Sequence, residues 1–269
     1  MHMENLQPTP RVNILGVRVS ALTMQLALST IERWILTRDR QYVCVTGVHG
    51  VMESQRDPEL LRIHNAAGLV TPDGVPLVWM SHLLGQPSVE RVYGPDLMRA
   101  MCAVSAKRGY RVFLYGSRPG TLSKLSDSLA GAYEGLQLAG SLAPPFRPVT
   151  EEEDEEEIRQ INDANPDIVW VGLSTPKQER WMARHVHRLN APVLIGVGAA
   201  FDFLAGEIPQ APRWMQRNGL EWLFRMASEP RRLSGRYLRN NPAFVLRAAG
   251  QLAMPSRYLQ ATDEGTLAR

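Results

Sequence analysis

The chain has 269 residues, 44% of them hydrophobic and 21% charged, with a net charge of +3. That is enough chain for one large α/β domain with an appendage, and too little net charge for a generally basic nucleic-acid binder. Cys44 and Cys102 stand alone without CxxC spacing, which argues against a disulfide framework or a cysteine zinc site and fits a reducing cytosol.

The first residues, MHMENLQPTPRVNI, carry no apolar segment of the secretory type. Residues 12–23 read as two short strands around Gly16 running into a helix from about Ser20. QYVCVTG (41–47) is a buried-strand pattern. Two short helices follow, the second opening with Asp57 as cap and Pro58 in its first turn. LVTPDG (69–74) is a strand and turn, and Gly94, Pro95 and Asp96 open a helix. From residue 111 the pattern alternates: strand 111–117, helix after Pro119, strand 136–141, helix from Thr150, strand 167–174, helix from Pro176, strand 192–198, short helix to about 206. Such alternation predicts an α/β fold, a mostly parallel sheet with helices on both faces. After about Pro209 no strand is readable. The expected divisions are a catalytic domain over 1–209, a helical appendage over 210–255 and a disordered tail over 256–269. The longest apolar stretch, 191–205, contains Asp202 and is too short to span a bilayer.

Ligands of parallel sheets gather beyond the carboxyl ends of the strands. That rule selects Thr46, Asp73, Gly116, residues 174–179 and residues 198–202. Asp73 stands in a tight turn just past a strand, where a local backbone hydrogen bond is the commoner role. Arg91 reads equally as a surface residue paired with Glu90 or Asp96. In STPKQERWM (174–182), Ser174 or Thr175 is the expected helix cap, leaving Gln178 and Glu179 in the first turn. GVGAAF (196–201) has two glycines of a dinucleotide fingerprint but Phe201 at the third, so Gly198 offers an anion-binding turn rather than an NAD site. EEEDEEE (151–157) reads as a helix start, with Thr150 and Glu153 forming a capping box. The histidines lack metal-ligand spacing, so no protein-held metal is expected. Residues 213–247 hold eight Arg, no Lys and only Glu221 and Glu229 as acids, interleaved with aromatics. Arg suits phosphate and aromatic rings suit a membrane interface, while a snorkelling helical face is the plainer alternative. If Pro230 starts a helix, Arg232, Arg236 and Arg239 share a stripe, with Leu233 and Tyr237 beside it.

TPDGVPLVW (71–79), ERVYGPDLM (90–98), VFLYGSRPG (112–120), PDIVWVGLSTPKQERWM (166–182) and residues 195–233 together resemble the WecG/TagA/CpsF family of bacterial glycosyltransferases. The resemblance covers roughly residues 43–244. It implies a Rossmann-like domain with a mobile C-terminal helical appendage. It further implies an inverting transfer of a hexose-type sugar (glucose, N-acetylmannosamine or related) from a UDP donor to a polyprenyl-diphosphate-linked saccharide. Extracellular polysaccharide biosynthesis at the inner face of the plasma membrane is the implied setting. By the same likeness Asp73 is the general base, and Thr46, Arg91, Gln178 and Asp202 lie in the UDP-sugar pocket, Arg91 counting with Asp73 among the catalytic candidates. Glu179, Gly116 and Gly198 are added there from their positions at strand ends. Arg225 and Arg232 are implied to close over the diphosphate, the other basic and aromatic positions meeting the membrane surface. No cofactor is required, Mg²⁺ entering only on the substrate diphosphate; a homo-oligomer is compatible, and no nucleic acid is expected. Relatives carry T-x-N after the first buried strand, whereas here Thr46 precedes Gly47 and Val48, so His49 is the candidate to replace the missing Asn. Two other classes compete: an oxidoreductase built on the GVG turn, and a non-catalytic membrane-associated assembly factor that binds nucleotide-sugar.

Overall fold

Side-chain periodicity sets the element order seen in the computed structural model, which describes residues 9–254. In chain order the strands are β1 (Arg11–Ile14), β2 (Val17–Ser20), β3 (Gln41–Thr46), β4 (Leu69–Pro72), β5 (Arg111–Gly116), β6 (Gln137–Leu142), β7 (Ile168–Gly172) and β8 (Val193–Gly196). The helices between them are α1 (Met24–Thr37), α2 (Val48–Ser54), α3 (Pro58–Ala66), α4 (Val75–Leu83), α5 (Gly94–Arg108), α6 (Pro119–Ala132), α7 (Glu151–Asp163), α8 (Lys177–His185) and α9 (Ala200–Leu204). Then come α10 (Arg213–Arg217), α11 (Glu221–Ser228) and α12 (Pro230–Ala253). The tail expected over 256–269 lies outside the described residues.

The chain divides into two units, each built from separate stretches. One holds the described residues up to Met24, Thr46–Val92, and those from Ala211 onward; the other holds Gln25–Val45 and Tyr93–Gln210. The α/β expectation is met in the second unit, where β3, β8, β7, β5 and β6 are hydrogen-bonded in that order and every pair is parallel. The centre of a parallel sheet is covered on both faces, so its strands are apolar throughout rather than alternating. β7 and β8 obey this: Ile168, Val169, Trp170, Val171, Val193, Leu194 and Ile195 are all fully buried.

A polar network also lies within this unit. The Tyr115 hydroxyl donates to Glu157 Oε2 at 2.6 Å, and the Tyr115 ring stacks on Trp181 at 4.1 Å, which stacks on His185 at 4.4 Å. His185 Nε2 meets Asp154 Oδ1 at 2.9 Å, and Arg188 donates to Asp154 Oδ2 at 2.6 Å. The acidic run is therefore divided. Thr150 and Glu153 form the expected capping box, and Asp154 and Glu157 turn inward to this network.

In the first unit β1 and β2 pair antiparallel through a two-residue turn, Leu15 and Gly16, both at positive φ as a primed hairpin turn demands. Arg11 donates to the carbonyls of Asn65 and Gly68 at 3.5 and 2.9 Å, and also to that of Ala67, satisfying the open end of α3. Asp57 caps α3 as expected, accepting from Glu59 and Leu60. The helix expected from Ser20 starts instead at Met24, because Ser20 closes β2 and its hydroxyl accepts from the Val70 N–H at 3.0 Å. α4 was not foreseen: VPLVWMSHL is apolar nearly all round and carries no helical period to read.

α12 spans 24 residues, about 36 Å. It is tied to this unit along its length. Asn240 meets His49 at 3.0 Å, Arg247 donates to Gln55 at 3.3 Å, and Gln251 accepts from the Leu15 N–H at 2.9 Å while donating to the Asn13 carbonyl at 2.7 Å. Among the described residues no helix is long and apolar enough to cross a membrane.

Burial pushes the Glu157 carboxyl up, and the Tyr115 hydrogen bond opposes that shift. Replacing Tyr115 by Phe leaves a buried carboxylate without its donor, and a loss of about 1–3 kcal/mol is expected. Because the folded-state pKa of Glu157 lies above its unfolded value, its contribution is fully present below the unfolded pKa and is lost as pH rises through the folded one. The Tyr115→Phe loss in urea unfolding should therefore be larger at about pH 8 than at about pH 4. Equal losses at both would show that Glu157 is not the responsible group.

Candidate functional site

The candidate residues fall into two clusters, one in each unit. In the first, β4 ends at Pro72 and Asp73 follows in a turn fixed by its main chain. The Asp73 N–H donates to the Thr46 carbonyl at 3.0 Å, and Arg91 Nε donates to the Asp73 carbonyl. The Val92 N–H donates to the Pro72 carbonyl at 3.0 Å. Main-chain bonds and the Arg91 side chain thus hold the turn at the head of α4. Asp73 Oδ2 lies against Gly47, 3.7 Å from where a Cβ on that residue would stand.

Arg91 does more than hold that turn. Its guanidinium donates to the Gln216 carbonyl at 3.3 Å and pairs with Glu221 at 2.6 Å. Local spacing offers Glu90 or Asp96 as partners, but Asp96 pairs with Arg99 at 3.1 Å. The real partner is 130 residues away. Arg91 thereby links the Asp73 turn to the start of α11.

Thr46 is buried, and its hydroxyl lies 3.1 Å from His64 Nε2. A Cβ on Gly50 would approach Thr46 Cγ2 to 2.9 Å, so α2 runs directly against it. Thr46 is thus held from the protein interior by α2 and α3. His49 Nδ1 accepts from Asn240 on α12, and the Asn240 oxygen accepts from Arg56 at 2.9 Å. Glu53 lies 3.6 Å from the same His49 nitrogen. His49 joins α2 to α12.

The arginines of the C-terminal helices share one electrostatic neighbourhood. Burial lowers the Arg236 pKa; Tyr237 and Glu53 oppose that shift, and repulsion from Arg225 and Arg232 adds to it. Burial raises the Tyr237 pKa; Arg225 and Arg236 oppose that shift, while Glu221 and Asp73 reinforce it. Arg232 is exposed and pairs with Glu229 at 2.6 Å. Tyr237 also meets the Trp222 ring at 6.0 Å. Pro230 does start α12, and the expected stripe is uneven: Arg239 is exposed, whereas Arg236 is half-buried beside Tyr237. Sequence reasoning gave Arg236 to the membrane. The signal that could have found it is its adjacency to Tyr237, four residues on from Arg232.

The second unit holds the other cluster. Gly116 has φ +116°, and a Cβ there would fall 2.8 Å from the Gly172 carbonyl, so the close approach of β5 and β7 demands glycine. Gln178 and Glu179 are buried in the first turn of α8. The expected caps are replaced. Pro176, after a cis Thr175–Pro176 bond, stands at the N-cap, Ser174 adopts φ +64°, and the Thr175 hydroxyl donates to Glu179 Oε1 at 2.8 Å. Gly198 lies beside Gln178, and Asp202 is half-buried on the short helix α9 that follows. Among the described residues no group of three or more His, Cys, Asp or Glu could hold a metal ion.

A model of the Glycosyl transferase WecG/TagA/CpsF family matches residues 12–258. The N-acetylglucosaminyldiphosphoundecaprenol N-acetyl-beta-D-mannosaminyltransferase of Bacillus subtilis (strain 168) is 30% identical over 65% of this chain and 66% of its own length. The protein of the same name from Bacillus spizizenii (strain ATCC 23059 / NRRL B-14472 / W23) is 28% identical over 67% of this chain and 68% of its own length. That from Staphylococcus aureus (strain MW2) is 26% identical over 93% of this chain and 96% of its own length. The chain thus spans about two thirds of the length of the Bacillus relatives and nearly all of the staphylococcal one.

Lys at position 91 could keep a charge but not the fork that serves Asp73, Gln216 and Glu221 together. Arg91→Lys and Glu221→Gln are each expected to cost about 1–3 kcal/mol in denaturant unfolding. The double variant should fall short of their sum by at least about 0.5 kcal/mol. Strict additivity would show that the two side chains act independently.

Proposed function

Because the chain belongs to the Glycosyl transferase WecG/TagA/CpsF family, we propose that it is a UDP-sugar-dependent hexosyltransferase acting on a polyprenyl-diphosphate-linked saccharide in extracellular polysaccharide biosynthesis. The relatives' names, which carry a sugar on diphosphoundecaprenol and an N-acetylmannosaminyl group transferred to it, support the acceptor class. The observation that carries the reading is the Asp73 turn at the end of β4, whose carbonyl is gripped by Arg91, a guanidinium that also pairs with Glu221 at the start of the arginine-bearing helix α11.

In this reading Asp73 takes the proton of the acceptor hydroxyl as its oxygen attacks the anomeric carbon. The bond from that carbon to UDP breaks with inversion, and UDP leaves with the electron pair. Charge grows on the leaving diphosphate, and the arginines answer it with fixed donors. Arg225, Arg232 and Arg236 are their sources, while Arg91 positions the turn. Gln178, Glu179, Gly198 and Asp202 take the nucleotide-sugar, and Mg²⁺ enters only as a counter-ion of the substrate diphosphate. His49 serves by seating α12.

Peripheral membrane attachment belongs to the same reading. Leu238, Val245 and Leu252 recur every seven residues on α12 and are exposed, as are Leu246, Arg239 and Arg247. Each Arg near an anionic surface adds about 1 kcal/mol of attraction. Val245→Glu combined with Leu246→Glu is expected to abolish co-sedimentation with anionic vesicles and to leave turnover of a short-chain acceptor unchanged. Undiminished vesicle binding would remove this face as the contact.

Asp73→Asn preserves the main-chain bonds of the turn, so the fold and UDP binding should survive. Transfer, read as UDP released in the presence of a prenyl-diphosphate sugar, should fall by about 10²–10⁴-fold. Wild-type turnover in that variant would remove Asp73 as the base. A wild-type protein that binds UDP-sugar but releases no UDP would favour a binding-only assembly factor.

A further inference from the structure

α4 begins just past Asp73 and carries no Asp, Glu, Lys or Arg. Val75, Trp79 and Leu83 recur every four residues, so they line one helical face. Exposure rises along that line, from a buried Val75 to Trp79 at 52% and Leu83 at 66%. At about 1.5 Å per residue the line runs about 12 Å away from the Asp73 turn. His82, the polar neighbour of Leu83, is turned back, its Nε2–H donating to the Val89 carbonyl at 2.8 Å.

The turn between α10 and α11 lies against this line. A Cβ on Gly219 would stand 3.4 Å from both Trp79 Cη2 and Val75 Cβ, so the turn and α4 are in contact there. α10 has no buried residue: Trp214 is 61% exposed, and Arg213 and Arg217, one turn apart, are exposed with it. Gln216, next to Arg217, gives its carbonyl to the same guanidinium that grips the Asp73 carbonyl. A carboxylate turn, a pair of exposed cations and an uncharged apolar line are thus joined through Arg91 and the Gly219 turn.

We propose that Trp79 and Leu83 seat the first isoprene units of the acceptor, with Arg213 and Arg217 facing the diphosphate from which that chain hangs. The inference rests on the lipid-diphosphate acceptor reading above and deepens it, because it assigns the prenyl contact to α4 rather than to α12. Such an acceptor offers a hydroxyl, then a diphosphate, then a hydrocarbon chain. The surface offers a carboxylate, guanidinium groups and an apolar line that leads away from the carboxylate. Large apolar side chains exposed together mark an interaction surface. A second copy of the chain fits less well, since a two-fold contact sets a patch against itself and brings Arg213 and Arg217 near their own counterparts. A flat bilayer contact gives no reason for the line to start at the Asp73 turn.

The test titrates the intact chain calorimetrically, without detergent, with two acceptors that share an N-acetylglucosaminyl diphosphate. One ends in a methyl group and the other in a geranyl chain, so the sugar cancels in the ratio of Kd values. The wild-type protein should bind the geranyl compound more tightly by about ten-fold or more. Its heat-capacity change should also be more negative, from the apolar surface buried. In Trp79→Ser and in Leu83→Ser the ratio should fall toward unity and the extra heat-capacity change should shrink, while Trp79→Phe keeps most of both. A merely structural role would weaken the two acceptors alike and leave the ratio unmoved. Thermal melting shows which variants fold. If Trp79→Ser is unfolded, Leu83→Ser at the exposed end of α4 decides.

Equal affinity of the wild-type protein for the two acceptors overturns the proposal. So does a full geranyl preference in the folded Ser variants. If those variants keep the preference but lose vesicle co-sedimentation or a concentration-dependent dimer, the line belongs to the bilayer or to a second copy instead. A wild-type protein that binds neither acceptor overturns the acceptor reading itself, a different result from any of these.

Discussion

The geometry of the first unit depends on a single guanidinium. Arg91 grips the carbonyl of Asp73, the carbonyl of Gln216 and the carboxylate of Glu221 at once. An isolated surface pair contributes little, but this one is mostly removed from water and carries hydrogen bonds on several faces. Removing either charge would strand the other in that setting. The consequence is a fixed relation between a carboxylate turn and the helices that bring the arginines. Among those arginines, the charge on Arg236 is disfavoured chiefly by burial; Tyr237 and Glu53 offset this in part, while Arg225 and Arg232 add to it.

What could be read in the sequence was what is written locally. The apolar runs IVWVG and VLIG announce buried parallel strands because both faces of such strands are covered. Thr150 and Glu153 spell a capping box within four residues, and Asp57 with Pro58 spells a helix start. Asp73 could be placed at a strand end by the same local logic. Glu221 could not be assigned to Arg91, because nothing in a one-dimensional pattern pairs residues 130 apart. α4 was missed for the opposite reason, an excess of apolar residues that erases the period. Thr175 was misread because a hydroxyl near a helix start can cap the backbone or bond a side chain, and here a buried Glu179 competes for it.

The same competition separates the residues that touch the interior from those left for chemistry. Thr46 points its hydroxyl at His64, and His49 gives a ring nitrogen to Asn240. Both stand at the head of α2, and both brace other helices. Gln178 and Glu179 show the reverse pattern, each with a buried oxygen that meets no donor among the described residues. Burial alone would have grouped Thr46 with Gln178 and Glu179. Their partners divide the four: two brace neighbouring helices, and two each keep an oxygen without a partner among the described residues.

Gln251, near the end of α12, binds the main chain of Leu15 and Asn13 in the first hairpin. The amide of residue 15 therefore waits for a side chain 236 positions later before it is satisfied. A contact of that separation is among the most expensive in loop-closure entropy and forms after local structure. During synthesis the hairpin stays without this partner until residue 251 has been made. The β1–β2 hairpin is thus sealed long after it is made, and the unit it belongs to is completed by α12.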